Sequence, residues 1–510
     1  MVIPSPNEVS GRGICIWQHI DAGGALVRIV SYALVFVFCV VVLATVRSRP
    51  VRQATLLIAS YALYLSWGPW FGAVLLASTI MNYLVGEWLR RKHSGLALSV
   101  GILLNLALLS TFKYLPEAAV HLPFSSLQQF AHLAMPLGIS FWTFQAMSYL
   151  FDVYQGEDAD PSLIEFALYM AFFPVTISGP VCRMPDMLPQ FRFATTTRWS
   201  EIAQGLRRIA IGVLMMQLGR LLGQGILAGD GINSGFDRVT QWSGIDVWCL
   251  AFGYGLQLFF DFAGYSHIAI GAAQALGLTV PENFARPFES TSPSMFWTRW
   301  HMSLSFWIRD YVFFPLMQMR REIWWRNLAL VISMVLFGLW HKATLLFLLW
   351  GAYHGVLLVL HRVIEGLERR YDWTPPQLPW TTLSWISTIS LMNLGWIFFR
   401  ASSLPQARQM LAAAVTPASY SSHSLSGSLY LLVLALALGY GLVQLVADKL
   451  NRHSVESVDA TKESPSGFFG VMARWRWYWI PPLYVLALIF LLFVTLTRGV
   501  STSQFMYGNF

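Results

Sequence analysis

Charged residues are scarce in this sequence. Aspartate, glutamate, lysine and arginine together make up 12% of its 510 residues, whereas hydrophobic residues make up 55%. Because about a quarter of the residues in soluble proteins are charged, this shortage excludes a soluble enzyme of ordinary composition. Long blocks of lysine or arginine are absent too, so the net charge of +8 does not indicate a nucleic-acid partner.

Cysteines and familiar enzyme signatures are also few. Cys15, Cys39, Cys182 and Cys249 show neither CxxC spacing nor a metal-binding Cys/His pattern, so we expect no metal. The sequence lacks the GxSxG elbow, the Walker A loop, the HExxH site, the dinucleotide fingerprint and the His-x4-Asp box of glycerolipid acyltransferases. We therefore expect no bound cofactor. We also expect the cysteines to be core residues, and this expectation is weakest for Cys182. No cleavable signal peptide is expected, because residues 1–27 are polar and rich in glycine.

Apolar sequence is abundant and comes in long runs. A helix needs roughly 20 apolar residues to cross a membrane. Runs of that length predict membrane helices at 28–46, 70–87, 96–113, 209–229, 246–270, 380–399, 427–447 and 479–497. Shorter pieces lie at 54–67, 136–151, 162–180, 328–340 and 344–361. The sequence thus predicts an all-α polytopic membrane protein with about eleven to thirteen segments, some of them short or re-entrant.

The basic residues predict how these segments are oriented. Arginine and lysine cluster at 47–52 and 90–92, on either side of a hairpin that turns at Gly68-Pro69. Cytoplasmic loops carry an excess of such residues, so both clusters are predicted to face the cytoplasm and the N-terminus to lie outside. Further basic stretches follow at 192–208, 286–326, 362–370 and 449–476, and all fit the same side.

His341 is the first candidate for chemistry, because ionisable residues inside apolar sequence are costly and often functional. The piece before it, 328–340, would reach only about 20 Å along a helix. The hydrocarbon core is about 30 Å thick, which predicts that His341 lies in a recess roughly 10 Å short of the far side. A histidine there suits general-base catalysis. The alternative is a core histidine bonded to a carbonyl group.

A second candidate group lies in the stretch 281–326, where aromatic rings alternate with arginines as in helices at a membrane interface. Arg299, Trp300 and His301 stand together there. The alternative is an interfacial helix with solvated arginines, one of them paired with Asp310.

Two further groups break the apolar pattern. Asp261 is followed by Tyr265, Ser266 and His267, a set that can orient a base, bind a polar substrate or form a structural knot between helices. The stretch 172–183 contains proline and glycine, and irregular backbone at membrane depth must be buried or line a cavity.

Seven stretches follow one another in an order that is typical of a known family. They are MPLGISFWTFQAMSYLFDVYQG (135–156), FALYMAFFPVTISGPVCR (166–183), FGYGLQLFFDFAGYSHIAIG (252–271), LGLTVPENFARPF (276–288), FWTRWHMSLSFWIRDYVFFPL (296–316), FGLWHKATLLFLLWGAYHG (337–355) and NLGWIFFRASSLPQA (393–407). With the hairpin at 61–86, this set resembles the membrane-bound O-acyltransferase (MBOAT) family. Within the family, it is most similar to the bacterial branch that includes the alginate O-acetylation membrane protein.

The resemblance implies a fold and a reaction. Family members have a ring of membrane helices around a thin central core, with the acyl donor approaching from the cytoplasmic side and the acceptor from the outer side. The implied reaction is O-acylation, expected here to be O-acetylation of a secreted or cell-surface polysaccharide, as in exopolysaccharide modification and alginate biosynthesis. The donor would be a thioester such as acetyl-CoA or an acyl carrier, and the acetyl group would pass directly or through an extracytoplasmic relay acyltransferase. The implied location is the inner membrane of a bacterium.

The resemblance also implies roles for individual residues. The family's membrane histidine falls on His341, which would act as general base, and the second histidine falls on His301, which would position the donor or share the proton transfer. Trp340, Trp300 and Asp261 would shape the site, and Arg299 and Lys342 are further candidates for substrate binding.

The sequence departs from the family pattern in three places. Lys342 stands where relatives usually have glycine, His267 stands where they often have aspartate, and the loop after Pro315 reads LMQMRRE. The Lys342 charge could disfavour the imidazolium form of His341 or attract an anionic group such as a uronate. Alternatively, the side chain extends to the outer water.

The expected organisation is a polar tail (1–27), N-terminal membrane helices (28–130), a catalytic core (131–407) and C-terminal membrane helices (408–510) with a polar loop (448–478). Two other functions remain open. One is D-alanyl transfer to teichoic acid from a carrier protein. The other is transport, although the sequence shows no duplicated halves with corresponding broken helices.

Overall fold

The structure is a computed structural model of the chain. It describes residues 22–121, 128, 130, 131, 133–157, 160–193, 195–226, 229–239, 241–373 and 376–456, with Leu486 and Ile489. The helix predicted at 479–497, most of the polar tail 1–27 and most of the polar loop 448–478 lie outside these residues.

Regular structure in the described part of the chain is helical, apart from one antiparallel bridge between Phe284 and Trp300. The helices are α1 (Ala22–Thr45), α2 (Arg49–Leu65), α3 (Pro69–Lys92), α4 (Gly95–Lys113), α5 (Leu115–His121), α6 (Ile139–Gln155), α7 (Leu163–Ala171), α8 (Met184–Phe191), α9 (Trp199–Gln224), α10 (Ile232–Arg238), α11 (Gly244–Ala275), α12 (Pro293–Trp297), α13 (Met302–Ile308), α14 (Phe314–Gln318), α15 (Ile323–His341), α16 (Leu345–Arg370), α17 (Gln377–Arg400), α18 (Leu404–Val415) and α19 (Gly427–Glu456). A π-helical turn, Arg309–Phe313, joins α13 to α14.

Seven of the described helices are long and apolar enough to cross a membrane: α3, α4, α11, α15, α16, α17 and residues 427–449 of α19. The apolar part of α1, Val30–Thr45, is shorter. Helices α2 and α6 cover most of the shorter pieces predicted at 54–67 and 136–151, whereas α7 covers only the first part of the piece predicted at 162–180. The prediction of an all-α, multi-pass membrane protein is therefore confirmed.

Several predicted segments have different bounds in the structure. The run predicted at 209–229 falls mostly within α9, which contains several charged residues and is not one of the seven. The pieces predicted at 328–340 and 344–361 are parts of the longer helices α15 and α16. Since α15 begins at Ile323, its 19 residues extend about 28 Å. The helix that ends at His341 is therefore longer than the apolar piece 328–340 from which the depth of His341 was predicted.

The described residues form two compact units. The first comprises 22–212 and 265–389, and the second comprises 213–264 and 390–456, so that the boundaries fall inside α9, α11 and α17. His341 and His301 both belong to the first unit, whereas Asp261 belongs to the second.

Helices α15 and α16 form a hairpin in the first unit whose backbones approach closely at glycines. A Cβ atom at Gly351 would overlap the carbonyl oxygen of Met334, and one at Gly355 would lie 2.9 Å from Val331 Cα. Small residues at helix contacts are common in membranes because packing, rather than the hydrophobic effect, holds the helices together. The close approach brings the end of α15, with His341, against the start of α16.

The C-terminal end of α4 is joined to the same end of α15. The hydroxyl of Tyr114, the residue after α4, donates hydrogen bonds to the carbonyl oxygens of Leu339 (3.2 Å) and Trp340 (3.4 Å). Helix α6, almost entirely buried, supplies Phe141 and Phe144 to the neighbourhood of Trp340. Helices α4, α6 and α16 of the first unit thus lie around the final turn of α15.

Candidate active site

His341 is the last residue of α15, and 3% of it is exposed. Its ring centroid lies 5.2 Å from that of Phe337, one helical turn earlier, in a nearly parallel arrangement. The Trp340 ring lies 4.6 Å away, and the Trp350 ring of α16 stands edge-on at 5.6 Å. His341 is therefore buried, and the aromatic side chains around it account for its burial.

His301 precedes α13 and is fully buried. Its ring centroid lies 6.4 Å from that of Phe337, so one phenyl ring contacts both candidate histidines. Burial lowers the pKa of His301 to about 3, which keeps the imidazole neutral at physiological pH. The structure thus brings the two predicted histidines into one aromatic pocket.

The backbone of His301 is held in a left-handed conformation, with φ 46° and ψ 50°. Side chains other than glycine seldom adopt this region, and such strain is retained where the surroundings fix it. Here the amide of Met302 donates to the carbonyl of Asn283 at 2.9 Å, and the amide of Ala285 donates to that of Arg299 at 3.0 Å. These bonds flank His301 and fix the direction of its side chain.

A small polar network supports this segment. Asn283 accepts a hydrogen bond from the Ser303 hydroxyl at 2.6 Å and donates one to Ser266 at 3.0 Å. Ser303 in turn accepts from the amide of Val181 at 3.0 Å. Because these groups are buried and hydrogen-bonded, they stabilise the join between α11, α13 and the irregular stretch 172–183.

The two predicted tryptophans occupy different places. Trp340 contacts His341 directly and packs on Phe144, with ring centroids 5.2 Å apart. Trp300 stacks on Phe296 at 5.4 Å and meets Phe284 edge-on at 5.2 Å. Trp340 therefore lines the pocket, and Trp300 supports the backbone next to His301.

Arg299 and Lys342 make ionic contacts near the pocket. Arg299 Nη1 lies 3.5 Å from the carbonyl oxygen of Arg286 and 3.9 Å from a Glu289 carboxylate oxygen. The Lys342 side chain is 53% exposed, and its Nζ atom lies 4.0 Å from a Glu117 carboxylate oxygen. These positions agree with the alternatives of an interfacial arginine and of a lysine that extends towards water.

The group that begins at Asp261 lies on one helix, α11, but its members belong to different compact units. In the second unit, the Asp261 carboxylate lies so close to Gly219 that a Cβ atom there would overlap it. In the first unit, Arg208 Nε donates to His267 Nδ1 at 3.1 Å, and Ser266 joins the Asn283 network. Ser266 and His267 therefore make structural hydrogen bonds to other segments of the chain, in agreement with the structural alternative.

Cys182 lies in the irregular stretch 172–183 and is buried. Its thiol points to the carbonyl oxygen of Pro180, and its own carbonyl oxygen accepts a hydrogen bond of 2.9 Å from Tyr169. Burial raises the pKa of the Cys182 thiol, which disfavours the thiolate that a nucleophile needs. These contacts favour the core role.

Sequence reasoning missed two residues of the pocket. His354 of α16 is fully buried, and its ring lies 4.9 Å from that of Trp350 and 5.2 Å from that of Trp297. It shares a helical face with Phe347 and Trp350, a spacing that could have revealed it. Lys113, whose Nζ atom lies 4.6 Å from the centre of the Trp340 ring, gave no comparable signal.

The pocket lies at one end of its helices. Helix α3 finishes with Arg90, Arg91 and Lys92, and α4 then runs from that end to Lys113. Helix α15 follows a basic segment and ends at His341. Because basic ends are predicted to face the cytoplasm, the histidine end is predicted to be the outer one.

An all-helical membrane protein with two histidines in one buried aromatic pocket can carry out proton transfer away from bulk water, as an acyltransferase requires. The model of the MBOAT, membrane-bound O-acyltransferase family matches residues 87–403. This chain therefore belongs to the membrane-bound O-acyltransferase family and is an O-acyltransferase.

Three relatives illustrate the range of this family. The chain is 31% identical to "Probable alginate O-acetylase" of Azotobacter vinelandii, over 94% of this chain and 99% of that protein. It is 31% identical to the peptidoglycan O-acetyltransferase of Helicobacter pylori, over 71% of this chain and 73% of that protein. It is 30% identical to the teichoic acid D-alanyltransferase of Bacillus subtilis, over 59% of this chain and 76% of that protein.

Proposed function

We propose that this protein transfers acetyl groups from a cytoplasmic thioester donor to hydroxyl groups of a secreted or cell-surface polysaccharide, in the inner membrane of a bacterium. The observation that carries the proposal is the placement of His341 and His301 around Phe337. Relatives named as acetylases of alginate and of peptidoglycan support an acetyl group and a polysaccharide acceptor. Transfer through an extracytoplasmic relay protein is compatible with the same pocket.

In this reaction His341 acts as general base. A ring nitrogen takes the proton of the acceptor hydroxyl while the oxygen attacks the thioester carbonyl carbon. When the carbon–sulfur bond breaks, the thiolate takes up the proton and leaves as the thiol. General-base catalysis of this kind typically contributes 10²- to 10⁴-fold.

The other predicted residues position the reactants. His301, neutral and fixed by its backbone, positions the donor near His341. Trp340 and Trp300 shape the pocket, and Asp261 is proposed to contact a polar part of a substrate. Arg299 and Lys342 are proposed to attract anionic parts of donor or acceptor, although each lies next to a carboxylate in the structure.

The proposal is tested with purified protein in proteoliposomes. Acetyl-CoA labelled in the acetyl group, an acetylated carrier protein and a D-alanylated carrier protein are supplied in turn on the cytoplasmic side, with polysaccharide on the other side. Labelled ester on the polysaccharide from either acetyl donor is the expected product. Transfer from the D-alanylated carrier alone would establish the teichoic acid alternative, and uptake of substrate without acyl product would establish transport.

His341→Ala is the matched variant for this assay. We expect normal membrane yield and thermal stability, since the pocket is held by its other rings, but product formation at least 100-fold lower. Thermal melting in detergent and initial rates of ester formation measure the two properties. Product at the wild-type rate from a well-folded variant would remove His341 from the mechanism.

A further inference from the structure

Lys113 has a buried ammonium group and shares the neighbour Trp340 with His341. It ends α4, its Nζ atom is buried, and no hydrogen-bond partner for this atom exists within the part of the chain that the structure describes. The ammonium group lies over the Trp340 ring at 4.6 Å and near the Tyr114 ring at 6.0 Å. Aromatic faces attract a cation but accept no conventional hydrogen bond, so its three N–H donors retain unused capacity.

The position of this ammonium group is fixed relative to the candidate base. Tyr114, the next residue, donates its hydroxyl hydrogen bond to carbonyl oxygens at the end of α15. The Trp340 ring under the ammonium group also lies 4.6 Å from the His341 ring. One indole therefore contacts both the cation and the imidazole.

A carboxylate is present at this end of the helices but lies next to another lysine. Glu117 is 4.0 Å from Lys342 Nζ, and both of these side chains are partly exposed. Among the described residues no carboxylate pairs with Lys113, and a buried cation without an anion is costly because it has lost its hydration shell. The unpaired ammonium group lies in the pocket where the proposed reaction would generate negative charge.

We propose that Lys113 is a catalytic residue whose ammonium group stabilises the oxyanion of the acyl-transfer intermediate. The inference rests on the proposed function. When the acceptor oxygen bonds to the thioester carbonyl carbon and its proton moves to His341, the carbonyl π electrons move onto the carbonyl oxygen. Lys113 donates a hydrogen bond to this oxygen until the electrons return and the thiolate leaves. A preorganised donor in a dry site is effective for such a charge.

The test compares Lys113→Met, which keeps the length of the side chain, with Lys113→Arg, which keeps the charge. Lys92→Met is the matched control. Lys92 is an exposed lysine at the end of α3, near the start of α4, whereas Lys113 ends α4. We expect Lys113→Met to lower kcat about 100- to 1,000-fold with little change in KM for the donor. Lys113→Arg should recover part of this loss, and Lys92→Met should behave like the wild type.

A comparison of two acceptors shows whether Lys113 binds the oxyanion or a carboxylate group of the acceptor. The kcat loss in Lys113→Met should be equal for a uronate polysaccharide and for the same polymer with its carboxyl groups reduced. If KM rises for the acidic polymer alone, Lys113 binds acceptor carboxylates and the oxyanion role is wrong. A wild-type kcat in Lys113→Met would also overturn it.

Two further measurements separate this inference from folding and from the proposed function. Binding of a non-reactive thioether analogue of acetyl-CoA shows whether the site of each variant is intact. If Lys113→Met does not bind the analogue, Lys113→Gln replaces that variant. Loss of binding in both variants overturns the inference.

Slow hydrolysis of the donor forms the same oxyanion without any polysaccharide. Lower hydrolysis in Lys113→Met, together with no polysaccharide ester in the wild type, would support the role of Lys113 while rejecting the proposed acceptor.

Discussion

His301 shows how the surroundings can fix a single side chain that is proposed to act in catalysis. Its positive φ costs of order 1–3 kcal/mol. The neighbouring peptide groups hold it, because the Met302 amide donates to the Asn283 carbonyl and the Arg299 carbonyl accepts from the Ala285 amide. The side chain is buried among aromatic rings and is neutral at physiological pH. A neutral ring can donate one hydrogen bond and accept another, which suits positioning of the acyl donor more than charge stabilisation.

His301→Ala is therefore expected to weaken donor binding. KM for the donor should rise roughly tenfold, equivalent to about 1.4 kcal/mol, while kcat at saturating donor stays within a factor of about three. Initial rates over a donor concentration series measure both constants. His301→Asn, which tolerates the left-handed conformation, controls for backbone strain. A loss that appears only in kcat would contradict the positioning role.

Glu165 is a buried carboxylate in the first turn of α7, a helix of nine residues that is too short to span a membrane. It lies 2.6 Å from Arg49 Nη2 and 3.4 Å from Arg192 Nε, and it forms a capping box with Ser162. Burial raises its pKa, but the Ser162 hydrogen bonds and the Arg192 charge outweigh burial, so the net pKa lies below 4.5.

Glu165→Gln is expected to lower the free energy of unfolding by about 1–2 kcal/mol at pH 7. Because the pKa is lower in the folded state, the carboxylate stabilises the fold above about pH 4.5 and loses this effect as the pH falls through the folded value. The difference from wild type should therefore shrink between pH 7 and pH 4, measured by thermal melting. Glu365→Gln removes a half-exposed helical ion pair and should change stability by less than about 0.5 kcal/mol. A pH-independent difference would contradict the ionic explanation.

Sequence reasoning reached the histidines but not their surroundings. His341 and His301 could be found because each interrupts apolar or aromatic sequence and matches a family position. Lys113 could not, since a lysine at the end of an apolar run normally extends to water. Only the fold brings it onto Trp340, which is distant in the sequence.

At the scale of helices, the contact between α15 and α16 determines the shape of the pocket. Gly351 lies in that contact against Met334, whereas a Cβ atom at Gly366 of the same helix would meet no atom of the described residues within 4 Å. Trp350, next to Gly351, contacts the His341 ring. The glycine at 351 therefore allows the close approach that places Trp350 on the histidine.

Gly351→Ala is expected to destabilise the protein by about 1–3 kcal/mol, because the added methyl group has no space. Gly366→Ala should instead stabilise the helix by up to about 1 kcal/mol. Thermal melting of both variants measures this opposite response. We also expect lower turnover in Gly351→Ala, since separation of the helices moves Trp350 away from His341. Equal melting temperatures would show that the helices adjust without cost.

Element boundaries were the weaker part of the sequence prediction. Helix α15 begins five residues before the apolar piece that predicted it, because Trp324, Trp325 and Arg326 interrupt the hydropathy but not the helix. The opposite occurs in α9, where a continuous helix contains the charged residues Glu201, Arg207, Arg208 and Arg220 and is not among the seven long apolar helices. Hydropathy measures the environment of a segment, whereas helix bounds depend on backbone hydrogen bonds and packing.

At the scale of the whole molecule, the distribution of charge predicts that the pocket end of α4 and α15 faces outward. This predicts opposite accessibility for Lys92 and Lys342, which are exposed at the two ends. In a background without native cysteines, Lys92→Cys should react with an impermeant maleimide only from the cytoplasmic side, and Lys342→Cys only from the outer side. Labelling of sealed and inverted vesicles measures this, and labelling of both sites from one side would contradict the topology.

Phe337 links the two histidines, because its ring contacts His341 on its own helix and His301 from the preceding segment. Their effects on turnover should consequently be epistatic rather than additive. A change that shifts this phenyl ring alters the alignment of both imidazoles at once, and the cost of losing one histidine depends on which residue stands at 337. On the proposed mechanism, variation at that position is therefore constrained by two candidate catalytic histidines, even though the phenyl ring itself has no acid–base chemistry.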